Sequence, residues 1–267
     1  MLFRSLSIKF GSSRPLLVQR RSSVVYLGWS HLLSRTKDSS ADGLCQKGII
    51  PNILSGGNVL IIDPNNFEGF NRVFTGVIVP RPIAFVSSMS ADGYVNLAPY
   101  SFFNAVSYNP PTIVFSSSRH VGDKQKDTLA NIEETGEFVI NIVSDEIAEA
   151  MNITAAEYPA EADEFQIAGL TQAPSQIIRP PRVAESPVNM ECRLNQVVPI
   201  GQGVHEHGLV IGEVVLVHLR DDIIDGHRIN HQKLKPVGRL AGNMYCHTTD
   251  SYEMVRPVYN PDAQRVG

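Results

Sequence analysis

The chain has 267 residues, 43% of them hydrophobic and 19% charged, enough for one substantial domain with a buried core. Its longest apolar stretches, 48–54 and 59–62, are strand-sized and fall far short of the roughly 18 residues of a membrane-spanning helix. Residues 1–44 hold seven basic and two acidic residues while the remainder holds 16 and 25, so the body is acidic and lacks the electrostatic footprint of a nucleic-acid binder.

No acidic residue precedes Asp38, serine is abundant, arginine recurs, and Leu2, Phe3, Leu6 and Phe10 can share one helical face. This is the composition of a mitochondrial transit peptide, and it predicts a protein of the mitochondrial matrix. A secretory signal would need an uninterrupted apolar stretch after a short basic start; a disordered tail of chance composition is the remaining alternative. Cys45, Cys192 and Cys246 have no metal-like spacing and cannot all pair, so they read as reduced thiols.

After the leader comes a lead-in with a Gly56–Gly57 turn and a short strand at 59–62. From Thr75 onward the pattern becomes strongly β. Ile83 to Met89 is strand-like, Asp92-Gly93 is a tight hairpin turn, and Tyr94 to Ala98, Phe102 to Tyr108 and Thr112 to Ser117 follow as strands. That is the rhythm of an antiparallel meander or barrel. Asp127 to Glu134 reads as a short helix with Asp127 at its N-cap, ended by Gly136. Glu137 to Val143 is a strand, and Ser144 opens a second helix to about Ile153. The Pro- and Ala-rich stretch from Thr154 to Pro187 reads as a long excursion over the barrel, with a short helix near 161–167. Two long strands follow, Val188 to Ile200 and Leu209 to Leu219. The C-terminal stretch carries a Tyr245 placed to fold back over a pocket.

Two segments have the residue types of a cofactor site. The first, Ser116-Ser117-Ser118-Arg119 through Lys124-Gln125-Lys126-Asp127-Thr128, leaves a strand through hydroxyls, gathers three cations and enters a helix. That combination suits a dianionic phosphate such as that of FMN; a solvated loop with an ordinary helix cap is the alternative. The second, Asn96-Leu97-Ala98-Pro99-Tyr100-Ser101-Phe102-Phe103-Asn104, mixes small residues, a proline and aromatics, as a flat flavin ring requires, although core strands look much the same. His205-Glu206-His207 offers two imidazoles but no evident third ligand, so no metal site is assigned. His218 reads as a hydrogen-bonded structural histidine. No dinucleotide fingerprint or nucleophile elbow is present.

The run Val79-Pro80-Arg81-Pro82-Ile83-Ala84-Phe85-Val86-Ser87-Ser88 resembles the flavin-reductase-like FMN-binding family. So do Asn96 to Phe103, Asn109-Pro110-Pro111, Lys126-Asp127-Thr128 with Asn131-Ile132, Gly136 to Asn141, Asp163-Glu164-Phe165, Glu185-Ser186-Pro187 and Pro236-x-x-Arg239-Leu240-x-Gly242-x-x-Tyr245. The resemblance covers about residues 60–257. It implies a mainly β fold with peripheral helices, a six-stranded antiparallel Greek-key split barrel, and a homodimer with FMN near the subunit interface.

Composition and the resemblance together divide the chain into a leader (1–44), a lead-in (45–62), an FMN-binding domain (63–257) and a tail (258–267). The resemblance places the phosphate along Ser117–Thr128 and the ring near Ser101–Asn104. With the residues read above, the candidate cofactor ligands are Ala98, Ser101, Phe102, Asn104, Ser117, Ser118, Arg119, Lys126, Asp127 and Thr128. No catalytic residue is assigned, because hydride transfer to a flavin needs positioning more than an acid–base side chain.

Three functions fit. The first is an NADH- or NADPH-dependent flavin reductase, the second an FMN-dependent oxygenase or oxidase on a small molecule, and the third a non-catalytic flavin carrier. For the leader, residues 1–44 fused to a fluorescent protein are expected to direct it to mitochondria; a cytosolic signal from that fusion refutes the targeting reading.

Overall fold

The structure, a computed structural model, describes residues 49–50, 60–121 and 124–259. The leader, Cys45, the Gly56–Gly57 turn, Gly122–Asp123 and residues 260–267 of the tail lie outside the described residues. The chain divides into two units, Met1–Glu68 and Gly69–Gly267. In the first unit Ile49–Ile50 pairs antiparallel with Ile61–Ile62.

The second unit opens with helix α1 (Phe70–Val77) and then builds one sheet. Its strands are β1 (Ala84–Met89), β2 (Val95–Tyr100), β3 (Phe103–Tyr108), β4 (Pro111–Ser118), β5 (Glu137–Ile142), β6 (Val188–Ile200) and β7 (His207–Leu219). All neighbours pair antiparallel, in the order β2-β1-β5-β6-β7-β4-β3. The two ends of that order, β2 and β3, are consecutive in sequence and separated only by Ser101 and Phe102. Within this bend the Phe102 carbonyl accepts a 2.8 Å hydrogen bond from Ser116 N in β4. One bent strand therefore supplies both edges of the sheet, and the six-stranded barrel expected from the sequence is counted as seven segments.

The barrel interior is filled by alternate residues of its strands, among them Ala84, Val86, Phe115, Phe138 and Ile140. Phe115 sits between Tyr100 and Phe138, with ring centroids 5.2 and 5.7 Å away. Gly212 lies under the Phe138 ring, where any Cβ would collide with it. A second apolar cluster lies on the outer face, where Phe85 and Leu97 meet Val143, Met151 and Phe165. Because both of its faces are covered, β1 is buried from Ala84 through Ser88, both serines included, without solvent-facing alternation.

The helices depart from the expected bounds at their starts. Helix α2 spans Asp127–Thr135 with Lys126 at its N-cap, not Asp127, and Gly136 ends it at φ 71°. A 3-10 turn over Asp145–Ile147 displaces the start of α3 to Ala148, and α3 runs to Ile153. Helix α4 is Glu164–Ala168, starting where Asp163 accepts hydrogen bonds from the Phe165 and Gln166 N–H groups. The C-terminal hairpin pairs β8 (Val237–Arg239) with β9 (Tyr245–His247). Among the described residues no helix is long and apolar enough to cross a membrane.

The excursion from Thr154 to Pro187 lies over the barrel, held by two buried polar side chains of the sheet. Glu191 of β6, fully buried, accepts from the N–H groups of Gln176 (2.7 Å), Ile177 (2.7 Å) and Ile178 (3.2 Å) and lies 2.6 Å from His218 Nε2. Asn141 of β5 accepts from Val183 N (2.9 Å) and Asn189 Nδ2 (2.8 Å) and donates to the Phe85 carbonyl (2.9 Å). His218 is thus the structural histidine its strand position suggested. Burial pushes the Glu191 carboxyl up, but Gln176, His218, Ile177 and Ile178 together outweigh burial and hold it below the ordinary value of 4.5.

Its contribution is therefore complete above that ordinary value and is lost as pH falls through the folded one. Glu191→Gln is expected to cost about 1.5–3 kcal/mol at neutral pH. In urea unfolding the gap to wild type should narrow as pH is lowered below 4.5; a gap independent of pH would refute this role.

Candidate functional site

Strand β2 divides two cavities, which share Pro99 and Ala155 as wall residues. The smaller, about 240 Å³, lies between β2, the start of α2 and the Thr154–Tyr158 segment. The larger, about 1060 Å³, lies between Ser101, α3 and the β8–β9 hairpin.

The smaller cavity is built at the entry to α2. Thr128 Oγ1 accepts from Asn96 Nδ2 at 2.6 Å, which ties the first turn of the helix to β2. Glu164, itself buried, accepts from Leu97 N at 3.1 Å, and burial pushes its carboxyl up. The Tyr100 hydroxyl is buried beside Thr128 and Ser117, and burial pushes the phenol up.

The three cations predicted around this point have different partners. Arg119 lies 2.9 and 3.1 Å from the Glu133 carboxylate and 2.8 Å from Glu206. Lys124 pairs with Asp127 at 3.0 Å. Lys126 has no ion pair among the described residues, and its backbone N–H donates to the Arg119 carbonyl at 2.9 Å. Arg119 thereby clamps the short hairpin His120–Gln125 against α2, and it lines neither cavity.

Of the ten predicted ligands, Ala98, Lys126, Asp127 and Thr128 converge on the smaller cavity, and Ser101 lines the larger. Ser117 is buried and donates to the Ser118 carbonyl (3.0 Å); neither serine lines either cavity. Phe102 and Asn104 are exposed at the bend and on β3, with Asn104 Oδ1 accepting from Ala105 N at 2.9 Å. His205 is exposed, and His207 Nδ1 lies 3.3 Å from Ser116 Oγ.

Sequence reasoning missed Arg81. Only 7% exposed, it reaches Ser101 Oγ (3.3 Å), the carbonyls of Thr75, Ile78 (2.7 Å) and Leu240 (3.2 Å), and lies over the Phe102 ring at 5.9 Å. It was visible only as part of the quoted motif, because a single arginine between two prolines carries no periodic signal. Tyr245 does fold back: it lines the larger cavity and donates to Asn152 Oδ1 of α3 at 3.2 Å. Cys246 lines that cavity as well, and Cys192 is buried in the barrel, where burial pushes its thiol up and makes it inert.

Comparison with known proteins places this arrangement. The flavin reductase like domain profile matches residues 77–235. An uncharacterized protein of Aquifex aeolicus is 42% identical over 186 residues, which is 69% of this chain and 93% of that protein. The structure of nitrilotriacetate monooxygenase component B from Bacillus cereus superposes with a TM-score of 0.71 at 39% identity, covering 74% of this chain and all of that one (100%). The 2-nitrobenzoate 2-nitroreductase NbaA of Pseudomonas fluorescens gives 0.67 at 33% identity, covering 76% and 99%.

Proposed function

The chain belongs to the flavin reductase like domain family, and from that premise we propose that it binds FMN across β2 and uses it as an NAD(P)H-dependent oxidoreductase. The observation that carries this reading is Lys126. It is the segment's cation without an ion pair among the described residues, it stands at the N-cap of a nine-residue helix, and it lines a cavity with Thr128. A phosphate there would meet a positive side chain, the Thr128 hydroxyl and the N–H groups that open α2. From that anchor Pro99, Tyr100 and Ser101 would hold the flavin ring, where the proline removes a backbone donor and the bend turns the chain away.

When bound, FMN supplies two-electron, hydride-accepting chemistry. The chain's own part is to hold and orient it. Lys126 and Thr128 would hold the phosphate end, and Arg81 fixes Ser101 and the bend where the ring would be held. Buried Glu164 holds the Leu97 N–H, so that β2 keeps its place at the edge of both cavities. A second reading, direct reduction of a small organic molecule on bound FMN, draws support from the larger cavity beside Ser101 and from the nitroreductase activity named for one relative.

We also propose that the protein is a homodimer. Val106 and Tyr108 on β3 and Phe74 and Val77 on α1 are large apolar side chains left to solvent, Tyr108 at 95% exposure. Sedimentation of the full chain should give twice the monomer mass, and Tyr108→Asp should shift it toward monomer. A monomer at all concentrations refutes the dimer.

For the cofactor, the purified full chain should show a flavin absorption spectrum that bleaches on anaerobic addition of NADH or NADPH. Lys126→Ala should weaken FMN binding by about 1.5–3 kcal/mol. Arg119→Ala should leave FMN affinity near wild type and cost about 1 kcal/mol of stability. A spectrum that stays oxidised removes the reductase reading, and equal FMN losses in the two variants remove the phosphate assignment.

A further inference from the structure

Arg81 and Arg239 form an antiparallel bridge, each donating its backbone N–H to the other's carbonyl (3.0 and 2.8 Å). Directly opposed residues project their side chains on the same side, and like charges so placed repel. The guanidinium of Arg81 meets only neutral oxygens: Ser101 Oγ and three backbone carbonyls. That of Arg239 donates to the Gly242 carbonyl and stacks on the Tyr245 ring at 4.4 Å. Among the described residues neither arginine has a carboxylate partner, although the body of the chain is acidic and Arg119 alone holds two. Arg239 further lowers the proton affinity of Arg81, after burial itself.

Two opposed cations without a counter-ion, one of them buried, are costly unless an anion arrives between or beside them. Arg239 lines the larger cavity, whose remaining wall is partly apolar, with Ile83, Pro99, Met151 and Val237. Asp145 and Glu149 also line it, Asp145 already 2.9 Å from His247. These two carboxylates disfavour a ligand with several negative groups. We propose that Arg239 is the recognition residue for a small organic acid, a flat apolar body with a single carboxylate, bound in the larger cavity as the second substrate. This deepens the FMN reading and rests on it only for what happens to the acid after binding.

Benzoate is the probe and benzamide its neutral counterpart, titrated calorimetrically into the full-length protein as purified and after FMN loading. Benzoate should bind at least tenfold more tightly than benzamide, and Arg239→Gln should abolish that preference, as expected for loss of a charge-assisted contact. Arg239→Lys should restore part of it. Because the substitution also relieves like-charge repulsion, unliganded Arg239→Gln should melt no lower than wild type.

Equal binding of benzoate and benzamide, or full benzoate binding in Arg239→Gln, overturns the proposal. So does a lowered melting temperature with ligand binding intact, which would make Arg239 a structural residue of the hairpin. If Arg239→Gln weakens NADH binding and leaves benzoate untouched, the anion is the dinucleotide and the organic-acid assignment falls. Failure of the wild-type protein to bind FMN, with benzoate binding retained, is instead a failure of the cofactor reading.

Discussion

Everything in the second unit depends on the bend at Ser101–Phe102. An open sheet leaves two rows of unpaired N–H and C=O groups, and a polar backbone group that is buried must find a partner. Here the two edges are successive halves of one strand, so turning the chain through two residues brings both edges together at one corner. The Phe102 carbonyl still finds Ser116 N, so the bend interrupts direction but not pairing. Pro99, opposite Phe85, sits at the edge where β2 has no further neighbour and its missing donor costs nothing. Arg81 reaches Ser101 from one side and ties α1 and Leu240 to the same point. The residues that make the bend are the residues that separate the two cavities, so barrel closure and site construction are one event.

The second constraint is how a 34-residue stretch of irregular chain, Thr154 to Pro187, is kept on the barrel. Such a stretch carries backbone donors that helices and strands would otherwise satisfy. Glu191 takes three of them and His218 besides, and Asn141 takes Val183. Both side chains stand on central strands and are fully buried, so they act as fixed sockets into which the loop plugs. The loop in turn supplies the Thr154–Tyr158 and Glu164 walls of the smaller cavity. Stability and site shape are coupled through these two polar residues.

Charge in the site is distributed by tertiary pairing. Three cations close in sequence, Arg119, Lys124 and Lys126, differ entirely in the fold: two are neutralised by Glu133, Glu206 and Asp127, and one has no ion pair among the described residues at a helix entry. Two cations distant in sequence, Arg81 and Arg239, are brought opposite each other in a backbone bridge, without a carboxylate partner among the described residues. A linear count sees a basic cluster in the first place and nothing in the second. The fold reverses that ranking.

Local pattern by itself determined the β-rich class, the two long strands, the helix entered at Asp127–Thr128, the excursion and the return of Tyr245, because period-2 alternation, Asp-Gly turns, glycine stops and proline breaks act over a few residues. It also marked the β2 and α2 segments, since small residues beside a proline and hydroxyls beside cations are readable in any window. Helix starts came out one to four residues off, because a 3-10 turn or a displaced cap is decided by which carbonyls the neighbouring elements leave free. Only the tertiary structure decided that β2 and β3 are one strand, that Arg119 serves Glu133 and Glu206, and that Arg81 and Arg239 meet. Each of these depends on contacts between residues far apart in sequence, whose pairing follows from the register of a closed sheet and leaves no trace in local composition.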